Sequence, residues 1–133
     1  MPRSTLSVAI ITFNEADNLE RTLASVRFAD EIVVVDSGST DRTVEIANSL
    51  GAKVFSEEWK GFALQKNSAI DKCTATWVLS LDADEELTEE LQAEIRAMLE
   101  TDAETMPQVD GYRLRLRHVF LGRWMRYGGS TRT

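Results

Sequence analysis

The sequence predicts an α/β fold, a three-layer sandwich in which helices cover both faces of a mostly parallel central sheet. Three observations predict it. Strand-like runs alternate with stretches of helical periodicity, as strand–helix–strand crossovers require. The runs LSVAIITF (6–13), EIVVVD (31–36) and WVLSL (77–81) are β-branched and almost continuously apolar, which fits strands covered on both faces. Polar residues then collect directly behind these runs, at the carboxyl ends where such sheets bind ligands.

Each element has its own signature. After the first strand, NEADNLERTLASV places Leu19, Leu23 and Val26 at helical spacing, with Asn14 or Asp17 available as a cap. After the second, SGSTDRTVEIANSLG reads as a capped helix with Val44, Ala47 and Leu50 on its apolar face and Gly51 as its stop. Lys53–Ser56 is a short third strand, GFALQKNSAIDKC (61–73) a helix, and Trp77–Leu81 the fourth strand. Thr88 caps a last helix carrying Leu91, Ile95, Met98 and Leu99, and Glu89 and Glu90 suit the positive end of its dipole. GYRLRLRHVFL (111–121) alternates Arg with Leu and reads as one strand with two unlike faces. Val33, Val34, Ile10, Val78 and Leu79 are the expected core.

Composition narrows the function. The 133 residues make one domain, 1–133, long enough for a real core, and 43% hydrophobic with 28% charged residues excludes a disordered chain. A net charge of −7 is a poor match for a protein that must neutralise nucleic-acid phosphates. That charge is unevenly spread. No acidic residue follows Asp110, whereas Tyr112 to Thr133 hold six arginines. Cys73 is the only cysteine, so no internal disulfide can form and a reducing, cytoplasmic setting is expected. No run is long enough for a secretory signal or a membrane span.

Three strand ends point at one crevice: Thr12-Phe13-Asn14-Glu15, Asp36-Ser37-Gly38-Ser39 and Asp82-Ala83-Asp84. For the middle one, helix capping explains Asp and Ser as well as ligand binding does. The Asp82/Asp84 pair is harder to explain by structure alone. In an extended stretch residues i and i+2 face one side, and two adjacent carboxylates repel unless a cation lies between them. Mg²⁺ or Mn²⁺ accepts such oxygen ligands and keeps positions open for substrate phosphates. A dinucleotide fold is excluded, because no G-x-G-x-x-G follows the first strand, and no phosphate-binding G-x-x-x-x-G-K-[ST] is present. A phosphatase with an aspartyl nucleophile would carry its D-x-D after the first strand, where this chain has TFNE. His118, the only histidine, reads as a structural residue in an alternating strand.

The segment AIITFNEADNLERTLASVRFADEIVVVDSGSTDRTVEIANSLGAKV, then QKNSAI and WVLSLDADEEL, resembles family 2 glycosyltransferases of the GT-A fold, and most of all the bacterial group that adds glucose or heptose to the lipopolysaccharide inner core. The resemblance runs from about Leu6 to about Gly129. It implies an inverting transferase that uses a nucleotide-sugar and a divalent metal, Mg²⁺ or Mn²⁺. Carried over by position, Thr12, Phe13, Asn14 and Glu15 would line the nucleoside pocket and Asp36 would contact base or ribose. Lys66 and Asn67 would lie beside the nucleotide, Asp82 would approach ribose and metal, and Asp84 would ligate the metal. The implied acceptor is a glycolipid or glycan of the cell envelope.

Members of that family are usually much longer. The chain is therefore expected to hold the donor-binding half and to lack most of the acceptor half, including the general base that inversion needs. No carboxylate after Asp84 stands out as that base, so no catalytic residue is assigned. A non-catalytic nucleotide-sugar-binding remnant is the reading from another class, and a nucleotidyltransferase is disfavoured by the absence of a glycine-rich first loop. Finally, Arg113, Arg115 and Arg117 share one face of the expected strand, and Arg123, Trp124, Arg126 and Tyr127 add aromatic–cationic character within 113–132. That pattern suits either a charged edge strand or peripheral contact with an anionic inner membrane face.

Overall fold

A computed structural model describes residues 5–100 and the backbone of 111–113 and 120–123. It contains β1 (Leu6–Thr12), α1 (Ala16–Ala24), β2 (Glu31–Asp36), α2 (Thr43–Ser49), β3 (Lys53–Ser56), α3 (Phe62–Asp71), β4 (Trp77–Ser80), α4 (Glu89–Leu99), β5 (Gly111–Arg113) and β6 (Phe120–Arg123). The sheet order is β3-β2-β1-β4-β6-β5. The first four strands are mutually parallel, and β6 pairs antiparallel with both β4 and β5. The expected α/β sandwich with a mostly parallel sheet is therefore observed, with β3 at one edge.

Strand periodicity divides the core between the two faces. Leu6, Val8, Ile10, Val34 and Leu79 point to one side, where Leu19 and Leu23 of α1, Ala47 of α2 and Leu91, Ile95 and Leu99 of α4 cover them. Ala9, Val33, Val35 and Val78 point to the other, against Ala69, Ile70 and Cys73 on and just after α3. All five residues expected in the core are buried.

Local expectations fared unevenly. Thr88 caps α4, its Oγ1 accepting the Leu91 N–H at 3.1 Å, and Gly51 follows α2 at φ 88°, where a side chain would be strained. The inner face of α2 is Thr43, Ile46 and Ala47 rather than Val44, Ala47 and Leu50, because this helix ends at Ser49 and Leu50 caps it half-exposed. Neither Asn14 nor Asp17 caps α1. Glu15 holds the N-cap position without a side-chain capping bond, since residues from the next loop supply the acceptors. The single strand expected over 111–121 is two strands, with Gly111 opposite Gly122 in antiparallel register. Alternation gives faces but does not say where a chain reverses, and the open edge of β4 takes β6 as its partner. Arg115, Arg117, His118, Trp124, Arg126 and Tyr127 lie outside the described residues.

One buried charge locks the end of the sheet opposite the crevice. Glu31 accepts hydrogen bonds from Ser7 Oγ at 2.6 Å, Lys53 Nζ at 2.7 Å and the Thr74 N–H at 2.9 Å. Burial alone would raise this carboxyl, but the bonds from Lys53, Ser7 and Thr74 outweigh it and hold its pKa at about 2. Because the folded value lies below the ordinary 4.5, the stabilisation is complete above that pH and is lost as pH falls towards 2. Glu31→Gln is expected to remove about 2–3 kcal/mol at pH 7. Urea titrations at pH 7 and pH 3 check this, and the gap between wild type and variant should narrow at the lower pH.

Candidate functional site

The chain runs outward from β1 through β2 to β3, then returns across β1 to place β4 on its other side. The order thus reverses between β1 and β4, and this reversal opens the crevice in which such sheets bind ligands. The three polar strand ends belong to β2, β1 and β4, which are consecutive neighbours, so the structure brings them side by side as expected.

Two of these ends are stitched to each other. Thr40 and Asp41 donate backbone N–H bonds to Asn14 Oδ1 at 2.8 and 3.3 Å. In return Ser39 Oγ accepts from the Asn14 N–H at 2.7 Å, Thr43 Oγ1 from the Glu15 N–H at 2.8 Å and Asp41 Oδ2 from the Ala16 N–H at 3.2 Å. The free N–H groups that open α1 are thereby satisfied across the loop rather than within it. Asn14 sits at φ 54°, a left-handed conformation that asparagine tolerates better than most residues.

Asp36 holds the second loop together. It is almost fully buried, and its carboxylate accepts from Thr12 Oγ1 at 2.7 Å, the Gly38 N–H at 3.0 Å, the Ser39 N–H at 2.8 Å and the Ser39 hydroxyl. Burial pushes this carboxyl up, and the bonds from Ser39, Thr12 and Gly38 outweigh it and bring it below its ordinary value. A direct contact of Asp36 with base or ribose would require it to give up one of these donors.

The acidic end is a turn. The Glu85 N–H donates to the Asp82 carbonyl at 3.0 Å, so Asp82 and Asp84 occupy the first and third positions of a β-turn. The extended geometry expected for this pair is therefore not found, although the turn still follows the end of β4, beside β1. Buried Ala83 fixes the turn, its carbonyl accepting from Thr22 Oγ1 of α1 at 2.8 Å. Asp82 is half-buried and forms an ion pair with Lys66 of α3, Nζ to Oδ1 3.2 Å, while Asp84 is exposed. Asn67, next on the helix, is half-buried. Among the described residues no three His, Cys, Asp or Glu side chains gather closely enough to form a metal cluster.

Beside these loops lies a cleft of about 500 Å³, lined by Ile11, Thr12, Phe13, Glu15, Ser37, Trp59 and Phe62. Of the four residues expected to line a nucleoside pocket, Thr12, Phe13 and Glu15 line this cleft and Asn14 does not. Trp59 and Phe62 were not expected there, and the available signal was the pair of aromatic residues bracketing Lys60-Gly61 in EEWKGF.

A mostly parallel α/β sheet with a cleft at the carboxyl ends of β1 and β2, close to its switch point, defines the class of the domain. The family model for glycosyl transferase family 2 matches residues 7–132, and the chain belongs to that family. It is 55% identical over 91 residues to an uncharacterized glycosyltransferase of Rickettsia bellii, covering 68% of this chain and 31% of that one. It is 33% identical over 127 residues to the lipopolysaccharide core biosynthesis glycosyltransferase LpsC of Rhizobium meliloti, covering 92% of this chain and 46% of LpsC. The chain thus spans 31% to 46% of the length of these relatives. Among solved structures, the mannosyltransferase PcManGT from Pyrobaculum calidifontis, in complex with GDP-Man and Mn²⁺, superposes at a TM-score of 0.63 with 27% identity, covering 76% of this chain and 33% of that one. S. aureus TarS 1-349 superposes at 0.60 with 30% identity over 70% of this chain and 31% of its own. These neighbours are GT-A glycosyltransferases, so the fold expectation holds.

Proposed function

We propose that this chain binds the nucleotide diphosphate of a nucleotide-sugar donor in the crevice between β1 and β4, for sugar transfer to a glycolipid or glycan acceptor. The observation that carries this reading is the convergence of three polar strand ends at the switch point, with the Lys66–Asp82 ion pair just behind β4. Family membership and a mannosyltransferase neighbour holding GDP-Man support it. Thr12, Phe13, Asn14 and Glu15 line or shape the nucleoside side, and Asp36 maintains the loop from which Ser37 faces the cleft. Lys66 and Asn67 stand where the diphosphate would lie.

The donor set fits a divalent cation. Two carboxylates in one turn, one exposed and one paired only at the surface, leave oxygen ligands free to turn towards Mg²⁺ or Mn²⁺, ions that often take just one or two carboxylates with phosphates and water. Asp82 and Asp84 would hold it, and when bound it would offset the charge of the leaving diphosphate. Lys66 is able to exchange Asp82 for a phosphate oxygen, since a half-exposed ion pair contributes little to stability.

The finer assignment is an inverting transferase of lipopolysaccharide core or related envelope glycan synthesis; the similarity to LpsC supports the lipopolysaccharide-core part of it. A cytoplasmic site with peripheral contact at the inner membrane face accords with the basic composition of 113–132. Flotation with anionic vesicles tests that contact: salt-sensitive binding supports it, and protein free of vesicles at low salt refutes it. The donor reading is tested by calorimetry against a panel of nucleotide-sugars, with Mn²⁺ and then with chelator. Saturable binding by one or more donors in Mn²⁺ is expected, and heat no greater than dilution for every donor would sink the proposal.

A further inference from the structure

We propose that Trp59 and Phe62 form the outer wall of the donor cleft and pack against the nucleobase, and that Glu57 is the positioning residue that holds this wall in place. The inference rests on the donor reading above and adds residues which that reading did not use.

Three aromatic rings are left in solvent around one cleft. Phe13 is 54% exposed, Trp59 50% and Phe62 71%, and Trp59 meets Phe62 edge to face with centroids 4.9 Å apart. Exposed aromatic surface gathered at a concavity marks a place where a ligand supplies the missing contact. The charged groups say which part of the ligand this is. Lys66, Asp82 and Asp84 stand on α3 and behind β4, whereas the cleft is built on the ends of β1 and β2. A diphosphate held at the charged groups leaves its nucleoside over the cleft, where a planar base finds rings to pack on.

The wall is fastened with more bonds than a surface loop needs. The Glu57 N–H donates to the Asp36 carbonyl at 2.9 Å, joining the segment to the end of β2. Glu57 Oε1 accepts from Ser68 Oγ at 2.7 Å and Lys60 Nζ at 2.9 Å, and Oε2 pairs with Lys72 Nζ at 2.6 Å. Fully buried Gln65 accepts the Lys60 N–H at 3.1 Å through Oε1, and Gly61 turns the chain into α3 at φ 99°. Trp59 is therefore carried on a segment anchored to β2 at one end and α3 at the other. The Lys72, Ser68 and Lys60 bonds hold the Glu57 carboxyl at about 2, so the anchor stays charged throughout the physiological range.

The test is calorimetric titration of the full chain with UDP, GDP, CDP and ADP in Mn²⁺, with the melting temperature of each variant taken alongside. Trp59→Ala and Phe62→Ala are each expected to raise Kd for the preferred nucleotide about tenfold, the scale of a lost base–aromatic contact, and Trp59→Phe to restore most of it. Glu57→Gln should raise Kd about threefold to fivefold in the wild-type background and add nothing when Trp59 is already Ala, as a group acting through Trp59 must. Phe62 is mostly exposed, so Phe62→Ala remains informative even where Trp59→Ala melts early. Unchanged Kd in the ring variants overturns the wall, and a Glu57→Gln effect that persists in Trp59→Ala overturns the positioning role. A wild-type chain that binds none of the four nucleotides overturns the donor reading itself, and the wall with it.

Discussion

Asp84→Asn is expected to weaken Mn²⁺-dependent binding of nucleoside diphosphate by at least about tenfold, and Asp82→Asn/Asp84→Asn together by about a hundredfold. Asparagine keeps the size of the side chain and one ligating oxygen but removes the charge. The turn itself survives, because it is closed by the Glu85 N–H on the Asp82 backbone carbonyl and fastened through Ala83 to Thr22. The melting temperature should therefore stay within a few degrees of wild type. Chelator should act strongly on wild type and hardly at all on the double variant. Without metal the two carboxylates repel a diphosphate, so wild type loses affinity on chelation, whereas the double variant has no repulsion to reveal and changes little. Calorimetry of both proteins, with and without chelator, checks all four values. Equal wild-type affinity in Mn²⁺ and in chelator would contradict the role given to the pair.

Asp36→Ala is expected to destabilise the chain by about 3 kcal/mol, and so to lower its melting temperature by about 10 °C. The substitution strands the Thr12 hydroxyl, the Gly38 and Ser39 N–H groups and the Ser39 hydroxyl together. Ser39 is also the acceptor for the Asn14 N–H, so loss of Asp36 loosens the first loop through the second. Nucleotide binding should fall with stability. Asp36→Asn keeps one acceptor and should lie between the two. The carboxyl is held below its ordinary value, so its stabilisation is present at neutral pH and fades as pH falls through the folded value. Thermal melts of the three proteins at pH 7 test this, and a shift of less than about 2 °C for Asp36→Ala would show that the loop is organised by other contacts.

The features legible in the sequence are those set by short-range periodicity. β2 and β3 fall where their apolar runs place them, and β1 and β4 end one residue short of the expected positions, at Thr12 and Ser80. Thr88 and Gly51 were readable because a cap and a stop depend on their immediate neighbours. The misreadings involve partners distant in sequence. Asn14 looked like a cap for its own helix, yet its side chain serves the loop before α2, about 26 residues on. Asp82 and Asp84 looked extended because they follow a strand, but β4 stops at Ser80 and the chain turns to dock Ala83 on α1. Over 111–121 the alternation of Arg and Leu carried no information on the reversal that pairs β5 with β6. Trp59 and Phe62 drew no attention, because their meaning lies in where Glu57 holds the segment between β3 and α3.

The most direct test of the central claim, that one crevice holds both the nucleotide and the metal, is amide NMR of the chain with nucleoside diphosphate and Mg²⁺, followed by trace Mn²⁺. Shift changes are expected to concentrate at Thr12–Glu15, Ser37–Ser39, Trp59–Phe62 and Lys66–Asn67, with paramagnetic broadening centred on Asp82–Asp84. Changes confined to the opposite end of the sheet, around Glu31 and Lys53, or broadening centred away from the Asp82 turn, would contradict the account.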